Sequence, residues 1–172
     1  MVAKGFSQQY GMDYEKTFAL ITKMTTVHTL IVVASIRQWH ISQMDVKNVF
    51  LNGDLQEEVY IVFPLGVSHN LGEVCKLKKA LYSLKQTPRA WFTKFFDVLT
   101  SLGFHPSHHD PILFLKCTFT SHILLCLYVD DMNITSDNVD GIVVLKSDLA
   151  FCFEMKDLGA LRYFLGIEVV ID

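Results

Sequence analysis

The chain has 172 residues, of which 51% are hydrophobic and 19% are charged, and its formal net charge is −3. This composition excludes a disordered chain and a basic tail, and the length is sufficient for one domain with a sizeable core. The small negative charge opposes nucleic-acid binding through bulk charge, although a local basic stripe would escape this argument.

The N-terminal half of the chain predicts one helix and several strands. Residues 1 to about 24 are mixed in polarity and turn-prone, which is typical of an incomplete subdomain. A helix is predicted from Thr25 or Thr26, either of which can cap it. The segment WHISQMD alternates like a strand and ends at Asp45, and the Asn52-Gly53 dipeptide is a strong turn signal. Two further strands, EVYIVF and EVCKLKKAL, are predicted to follow.

The C-terminal half predicts two helices and a series of strands. The first helix begins at TPRAW, with Thr87 as N-cap and Pro88 as first helical residue, and Gly103 can end it. The strands ILFLKC, HILLCLYV and MNIT follow, then a helix near 140–153 and a final strand, LRYFLGIEVVI. This order predicts an α+β fold in which helices pack on one face of an antiparallel sheet.

Three features bear on the compartment of the protein. The four cysteines form no C-x-x-C pair and no zinc-site spacing, so we expect free, buried thiols in a reducing compartment. No apolar signal segment follows the start, so secretion is not expected. The apolar run 111–129 is rich in β-formers and is interpreted as a hairpin rather than a membrane span.

Asp130 and Asp131 lie side by side between two apolar segments, in LYVDDMNIT. One interpretation is that they only mark a turn, to which aspartate is suited. The other is a metal site, because carboxylates about 4 Å apart repel by roughly 4 kcal/mol at an effective dielectric near 20, and a divalent cation reverses that sign. If the strand ending at Asp45 is their neighbour, three carboxylates converge, as a two-metal site for phosphoryl transfer requires.

Six segments in order resemble those of a known family: VAKGFSQQYGMDYEKTFA, QMDVKNVFLNGDLQEEVY, VCKLKKALYSLKQTPRAWF, LGFHPSHHDPILF, LYVDDMNIT and FEMKDLGALRYFLGIEV. Together they cover essentially the whole chain, which resembles the reverse transcriptase domain of copia-type (pseudoviral) LTR retrotransposon Pol polyproteins. The resemblance implies a single domain, residues 1–172, with partial fingers over about 1–24. It implies a polymerase palm over about 25–172, an antiparallel sheet backed by helices that includes the primer-grip region. The sequence is therefore expected to be a truncated fragment without the thumb and RNase H domains.

The resemblance also implies the catalytic centre. Asp45, Asp130 and Asp131 match the family's catalytic aspartates. Together with the backbone carbonyl of Val46 they would bind two Mg²⁺ ions, with Mn²⁺ as an alternative. The implied reaction is RNA-directed DNA synthesis, in which the primer 3′-hydroxyl attacks the α-phosphate of the incoming nucleotide.

Further residues are implied to bind the substrates. Val46, Phe50 and Gln86 would line the dNTP site, where Phe50 would clash with a 2′-hydroxyl and so favour deoxynucleotides. Leu165 and Gly166, in YFLGIEV, match the hairpin that grips the primer end.

The implied partners are an RNA or DNA template, a DNA or tRNA primer, dNTPs and the rest of the Pol polyprotein, without a membrane. The implied location is the cytoplasm, within a virus-like particle of the parent element. Departures from the family pattern, such as Ser83 for glycine and Phe151 at a polar position, favour an alternative. In that alternative the chain is a catalytically inactive remnant, or a nucleic-acid-binding module lacking fingers and thumb.

Overall fold

The structure is a computed structural model, and it describes residues 7–15, 17, 22–64 and 66–169. Among these residues, in chain order, the helices and strands are α1 (Met24–Arg37), β1 (His40–Val46), β2 (Asp54–Ile61), β3 (Cys75–Lys79), α2 (Thr87–Ser101), β4 (His105–Pro106), β5 (Leu113–Cys117), β6 (His122–Tyr128), β7 (Asp131–Ser136), α3 (Val139–Cys152), β8 (Met155–Ala160), β9 (Tyr163–Phe164) and β10 (Ile167–Glu168). The chain divides into two compact units. The first comprises Met1–Ala19 and Asn48–Phe96, and the second comprises Leu20–Lys47 and Asp97–Asp172.

A six-stranded sheet in the order β4-β5-β6-β7-β1-β8 forms the centre of the second unit. All five of its strand pairs are antiparallel. The prediction of a hairpin within the run 111–129 is confirmed, because β5 and β6 pair directly. The mixed α/β content and the mainly antiparallel sheet agree with the predicted fold class. None of the described helices combines the length and apolarity needed to cross a bilayer.

Helix α1 packs its apolar side on the sheet. Val27, Leu30 and Ala34 form a buried cluster with Ile41 of β1 and Cys126 of β6. The prediction that a threonine caps this helix is wrong. The N-cap is Lys23, which makes no side-chain capping bond. The Thr26 hydroxyl instead donates to the buried carboxylate of Asp110, at 2.5 Å, which ties the first turn to the loop before β5.

Helix α3 lies on the opposite face, so the prediction of helices on a single face is wrong. A Cβ atom on Gly141 would lie 3.2 Å from Ile123 Cδ1. Side chains alternate between the faces of a strand, so Ile123 points away from Leu124 and Cys126, which pack with α1. Two-sided cover explains why five consecutive residues of β7, Met132–Ser136, are buried.

In the first unit, β2 and β3 pair antiparallel, and the Asn52-Gly53 turn precedes β2. Helix α2 starts at Thr87, where the hydroxyl donates to the carbonyl oxygen of Leu81 at 2.7 Å. Beyond the helix, in the second unit, Gly103 has a φ of 83°, so a left-handed residue follows the helix end as predicted.

The prediction of one continuous C-terminal strand is wrong. Strand β8 ends at Ala160, and β9 and β10 form a separate hairpin. Leu165 and Gly166 join them with φ values of 49° and 85°, the conformation of a tight two-residue hairpin turn. The turn reverses the chain, and this reversal interrupts what the apolar pattern alone presents as one strand.

Candidate catalytic site

The pairing of β1 with β7 brings two of the predicted catalytic residues together. Asp45 lies directly opposite Asp131 in the antiparallel register. Residues opposite each other in such a pair project from the same face of the sheet. Asp130 precedes Asp131, and its carbonyl oxygen accepts a hydrogen bond from the Val46 backbone nitrogen at 2.9 Å. The two strand ends are thus fastened to each other beside the three carboxylates.

A two-residue turn carries Asp130. The pairing of Tyr128 with Asp131 leaves Val129 and Asp130 to connect β6 and β7. Val129 has a φ of 59°, in the left-handed region that β-branched residues rarely occupy. Strained residues of this kind persist where the surrounding structure enforces them, and they cluster at functional sites. The turn leaves Asp130 exposed at the end of the sheet.

The surroundings of the half-buried Asp131 carboxyl disfavour its charged form. Burial raises its pKa first, and the nearby charges of Asp130 and Asp45 raise it further. Gln43 acts in the other direction, because its Nε2 donates to Asp131 Oδ1 at 3.4 Å and stabilises the charged form. A cation beside these carboxylates would offset each of the effects that raise this pKa.

The donor atoms at this strand end suit a hard divalent cation. Magnesium prefers oxygen ligands, and two or more carboxylates with a backbone carbonyl supply them. Among the residues that the structure describes, however, no three His, Cys, Asp or Glu side chains converge closely enough to hold a metal ion. The strands therefore bring Asp45, Asp130 and Asp131 to one end of the sheet without gathering their carboxylates into one ligand cluster.

The predicted nucleotide-site residues Phe50 and Gln86 belong to the first unit. Phe50 lies in a 3₁₀ turn, Val49–Asn52, with its ring edge-on to Tyr82 at a centroid distance of 5.0 Å. The buried amide of Gln86 accepts a hydrogen bond from Gln8 Nε2 at 3.0 Å and donates to the backbone oxygen of Asp13 at 3.3 Å. Val46 is also buried, but it belongs to the second unit.

The predicted primer-grip residues Leu165 and Gly166 form the turn of the β9–β10 hairpin. Phe164 anchors this hairpin in the core, where its ring meets Tyr128 edge-on at a centroid distance of 6.3 Å. Tyr128 ends β6, next to the turn that carries Asp130.

Sequence reasoning missed the contacts of Gln43, Tyr128 and Phe164. Strand alternation places Gln43 on the same face as Asp45, so period-two spacing could have identified it. The contact between Tyr128 and Phe164 depends on a tertiary pairing that no local pattern reports.

Comparisons with known proteins agree with the resemblance. The whole chain, residues 1–172, matches the family model described as "Reverse transcriptase (RNA-dependent DNA polymerase)". It is 40% identical, over 99% of its length, to the retrovirus-related Pol polyprotein from transposon TNT 1-94 of Nicotiana tabacum. It is 41% identical, over 98% of its length, to the corresponding polyprotein from transposon RE1 of Arabidopsis thaliana.

The chain spans 13% and 12% of the lengths of these two relatives. A more distant relative, the transposon Ty1-BL Gag-Pol polyprotein of Saccharomyces cerevisiae, is 31% identical over 95% of the chain, which covers 10% of that protein. No solved structure matches the chain. The matches run through the segments that carry all three aspartates, and the chain therefore belongs to the reverse transcriptase family, as part of a copia-type retrotransposon Pol polyprotein.

Proposed function

We propose that this chain is the catalytic part of an RNA-directed DNA polymerase, with Asp45, Asp130 and Asp131 as its catalytic carboxylates. The observation that carries the proposal is the register of β1 and β7, which sets Asp45 directly opposite Asp131 beside the turn that holds Asp130. A turn without a function would not need a second acidic strand end beside it. Membership of the reverse transcriptase family supports the same reaction.

Within this proposal the second unit is the palm. Its antiparallel sheet, covered by helices, gives a rigid support on which side chains can be placed accurately. The first unit, which includes residues 1–19, would then contribute the partial fingers. The β9–β10 hairpin, with Leu165 and Gly166 at its turn, would hold the primer end.

The carboxylates of Asp45, Asp130 and Asp131 and the carbonyl of Val46 would hold divalent ions, magnesium or manganese. Bound there, the ions would neutralise phosphate charge and favour ionisation of the primer hydroxyl. The protein fixes the two strand ends through the hydrogen bond from Val46 to Asp130. Because Asp131 is partly buried, its charge acts in a medium of reduced dielectric, and this strengthens its attraction for a cation.

The remaining roles concern substrate choice. Phe50 would exclude a ribonucleotide 2′-hydroxyl, and Gln86, held in place by Gln8 and Asp13, would contact the nucleotide sugar. The proposed partners are an RNA or DNA template, a DNA or tRNA primer and the rest of the Pol polyprotein.

Primer extension tests the proposal. The purified chain would be assayed on an RNA template with a DNA primer, dNTPs and Mg²⁺, beside Asp130→Asn and a control, Asp97→Asn. Asp97 is exposed and lies in α2, whereas the three aspartates lie at the ends of β1 and β7 and in the turn between β6 and β7. We expect extension by the wild type and the control and none by Asp130→Asn. Extension by Asp130→Asn at the wild-type rate would contradict the assignment, and hybrid binding without extension would favour a binding module.

A further inference from the structure

A row of polar side chains continues from Asp131 along β7 into the protein interior. Asp131, Asn133 and Thr135 alternate along the strand and so project from one face. Asn133 and Thr135 are each 1% exposed. Among the described residues, the side-chain amide of Asn133 and the hydroxyl of Thr135 have no hydrogen-bond partner. A buried amide without a hydrogen-bond partner is destabilising, so its presence needs an explanation.

Gln43 lies between this row and the carboxylates. It pairs directly with Asn133 across β1 and β7, one pair of same-face residues away from Asp45 and Asp131. Its Nε2 donates to Asp131 Oδ1 at 3.4 Å, at the long end of the hydrogen-bonding range. The Gln43 side chain therefore leans along the sheet towards the catalytic carboxylate rather than straight across to its partner.

The orientation of the Gln43 amide decides whether it can hold Asp131. A glutamine amide presents a donor nitrogen on one side and an acceptor oxygen on the other. Only the nitrogen can donate to the Asp131 carboxylate. Asn133 stands directly opposite Gln43, but its amide has no hydrogen-bond partner among the described residues, so it does not hold the Gln43 amide.

We propose that Gln43 is a positioning residue that holds the Asp131 carboxylate for ion binding. A hydrogen bond to one carboxylate oxygen restricts the rotation of the group and leaves the other oxygen free for a ligand. Partners of this kind typically change metal affinity by about 10- to 100-fold. The inference rests on the proposed function, because it takes Asp131 as an ion ligand.

Manganese binding, followed by electron paramagnetic resonance or calorimetry, separates this inference from the proposed function. The variants are Asp131→Asn, Gln43→Met and the control Thr135→Val. Methionine matches glutamine in length but has no N–H donor. Thr135→Val removes an equally buried, unpartnered polar group from the same row, at the position that pairs with Ile41 instead of Gln43.

We expect binding to depend on Asp131, to weaken by about tenfold in Gln43→Met and to remain at the wild-type value in Thr135→Val. Wild-type affinity in Gln43→Met, with binding still lost in Asp131→Asn, would overturn this inference and leave the proposed carboxylate site intact. Binding that does not depend on Asp131 would overturn both.

A second measurement does not require the Gln43 variant to fold. The side-chain NH₂ resonances of Gln43 in the metal-free wild type should shift on Asp131→Asn and remain in place on Thr135→Val. Equal spectra for wild type and Asp131→Asn would exclude the hydrogen bond on which the inference depends.

Discussion

Val129 takes a left-handed backbone conformation, with φ 59°, in the two-residue turn that carries Asp130. Such a conformation costs a β-branched residue on the order of 1–3 kcal/mol. Beside it, burial raises the pKa of Asp131, and Asn133 keeps an unpartnered buried amide. Each of these three features lowers the stability of the fold, which is typical of a region that is retained for binding rather than for stability.

Thiol chemistry gives a test at the same scale. Cys126 is 1% exposed, and burial raises the pKa of its thiol to about 11. At pH 8 the thiolate, which is the reactive form, is therefore a very small fraction of this group. We expect a thiol reagent such as DTNB to modify Cys117 and Cys152 at once and Cys126 only after unfolding.

Cys117→Ser and Cys152→Ser variants assign the fast phase of this reaction. Rapid modification of Cys126 in native protein would show that α1 does not cover it as described.

The expectation of free cysteines agrees with the structure, but the expectation that all of them are buried was wrong, because Cys117 and Cys152 are exposed. Burial was expected because free cysteine is among the residue types that are most often buried, whereas Cys117 ends β5 and Cys152 ends α3, and both are exposed.

The elements of the first unit depend on one close approach. A Cβ atom on Gly53 would lie 2.8 Å from the Trp91 backbone nitrogen and 2.9 Å from the Ala90 carbonyl carbon. Backbone atoms cannot move aside as a flexible side chain does, so the turn before β2 fits against α2 only with glycine. We predict that Gly53→Ala lowers the free energy of unfolding by about 1–3 kcal/mol, as overpacking does.

Gly141→Ala is the matched control for this substitution. Its added Cβ would meet the Cδ1 end of Ile123 at 3.2 Å, and alanine in a helix gains about 1 kcal/mol over glycine. In thermal melts, we therefore expect a lower melting temperature for Gly53→Ala and an unchanged or higher melting temperature for Gly141→Ala. A Gly53→Ala protein that melts like the wild type would contradict the close approach.

Element prediction succeeded where one local signal was decisive. Alternation identified β1, the richness of the run 111–129 in β-formers identified the β5–β6 hairpin, and Gly103 identified the end of α2. It failed where tertiary contacts competed with local preference. Thr26 bonds to Asp110 instead of capping α1, and Leu165 enters the left-handed region although its side chain favours an extended strand.

For the whole molecule, the α+β class and the antiparallel sheet were predictable, since the order of elements limits the topology. The adjacency of β1 and β7 was only a hypothesis from sequence, because strand pairing is non-local. The division into two units, with residues 48–96 grouped with 1–19, was not visible in composition or in any linker. The roles of the site residues remain predictions.

The net charge of the chain affects how strongly it binds nucleic acid. A chain of formal charge −3 repels a polyanion, and the three aspartates proposed to be catalytic would add to this repulsion at the surface where the primer end would lie. Divalent ions held by those carboxylates would reverse the local sign. We therefore predict that Mg²⁺, added at constant ionic strength, tightens binding of an RNA–DNA hybrid severalfold in the wild type but not in Asp130→Asn.

Fluorescence anisotropy of a labelled hybrid, with monovalent salt adjusted to hold ionic strength, measures this effect. Constant ionic strength is essential, because counterion release makes every such affinity depend on salt. Asp97→Asn removes the same charge from an exposed position in α2 and should keep the Mg²⁺ response. If all three proteins respond equally, the ions act on the nucleic acid alone, and the strand-end carboxylates do not recruit them for binding.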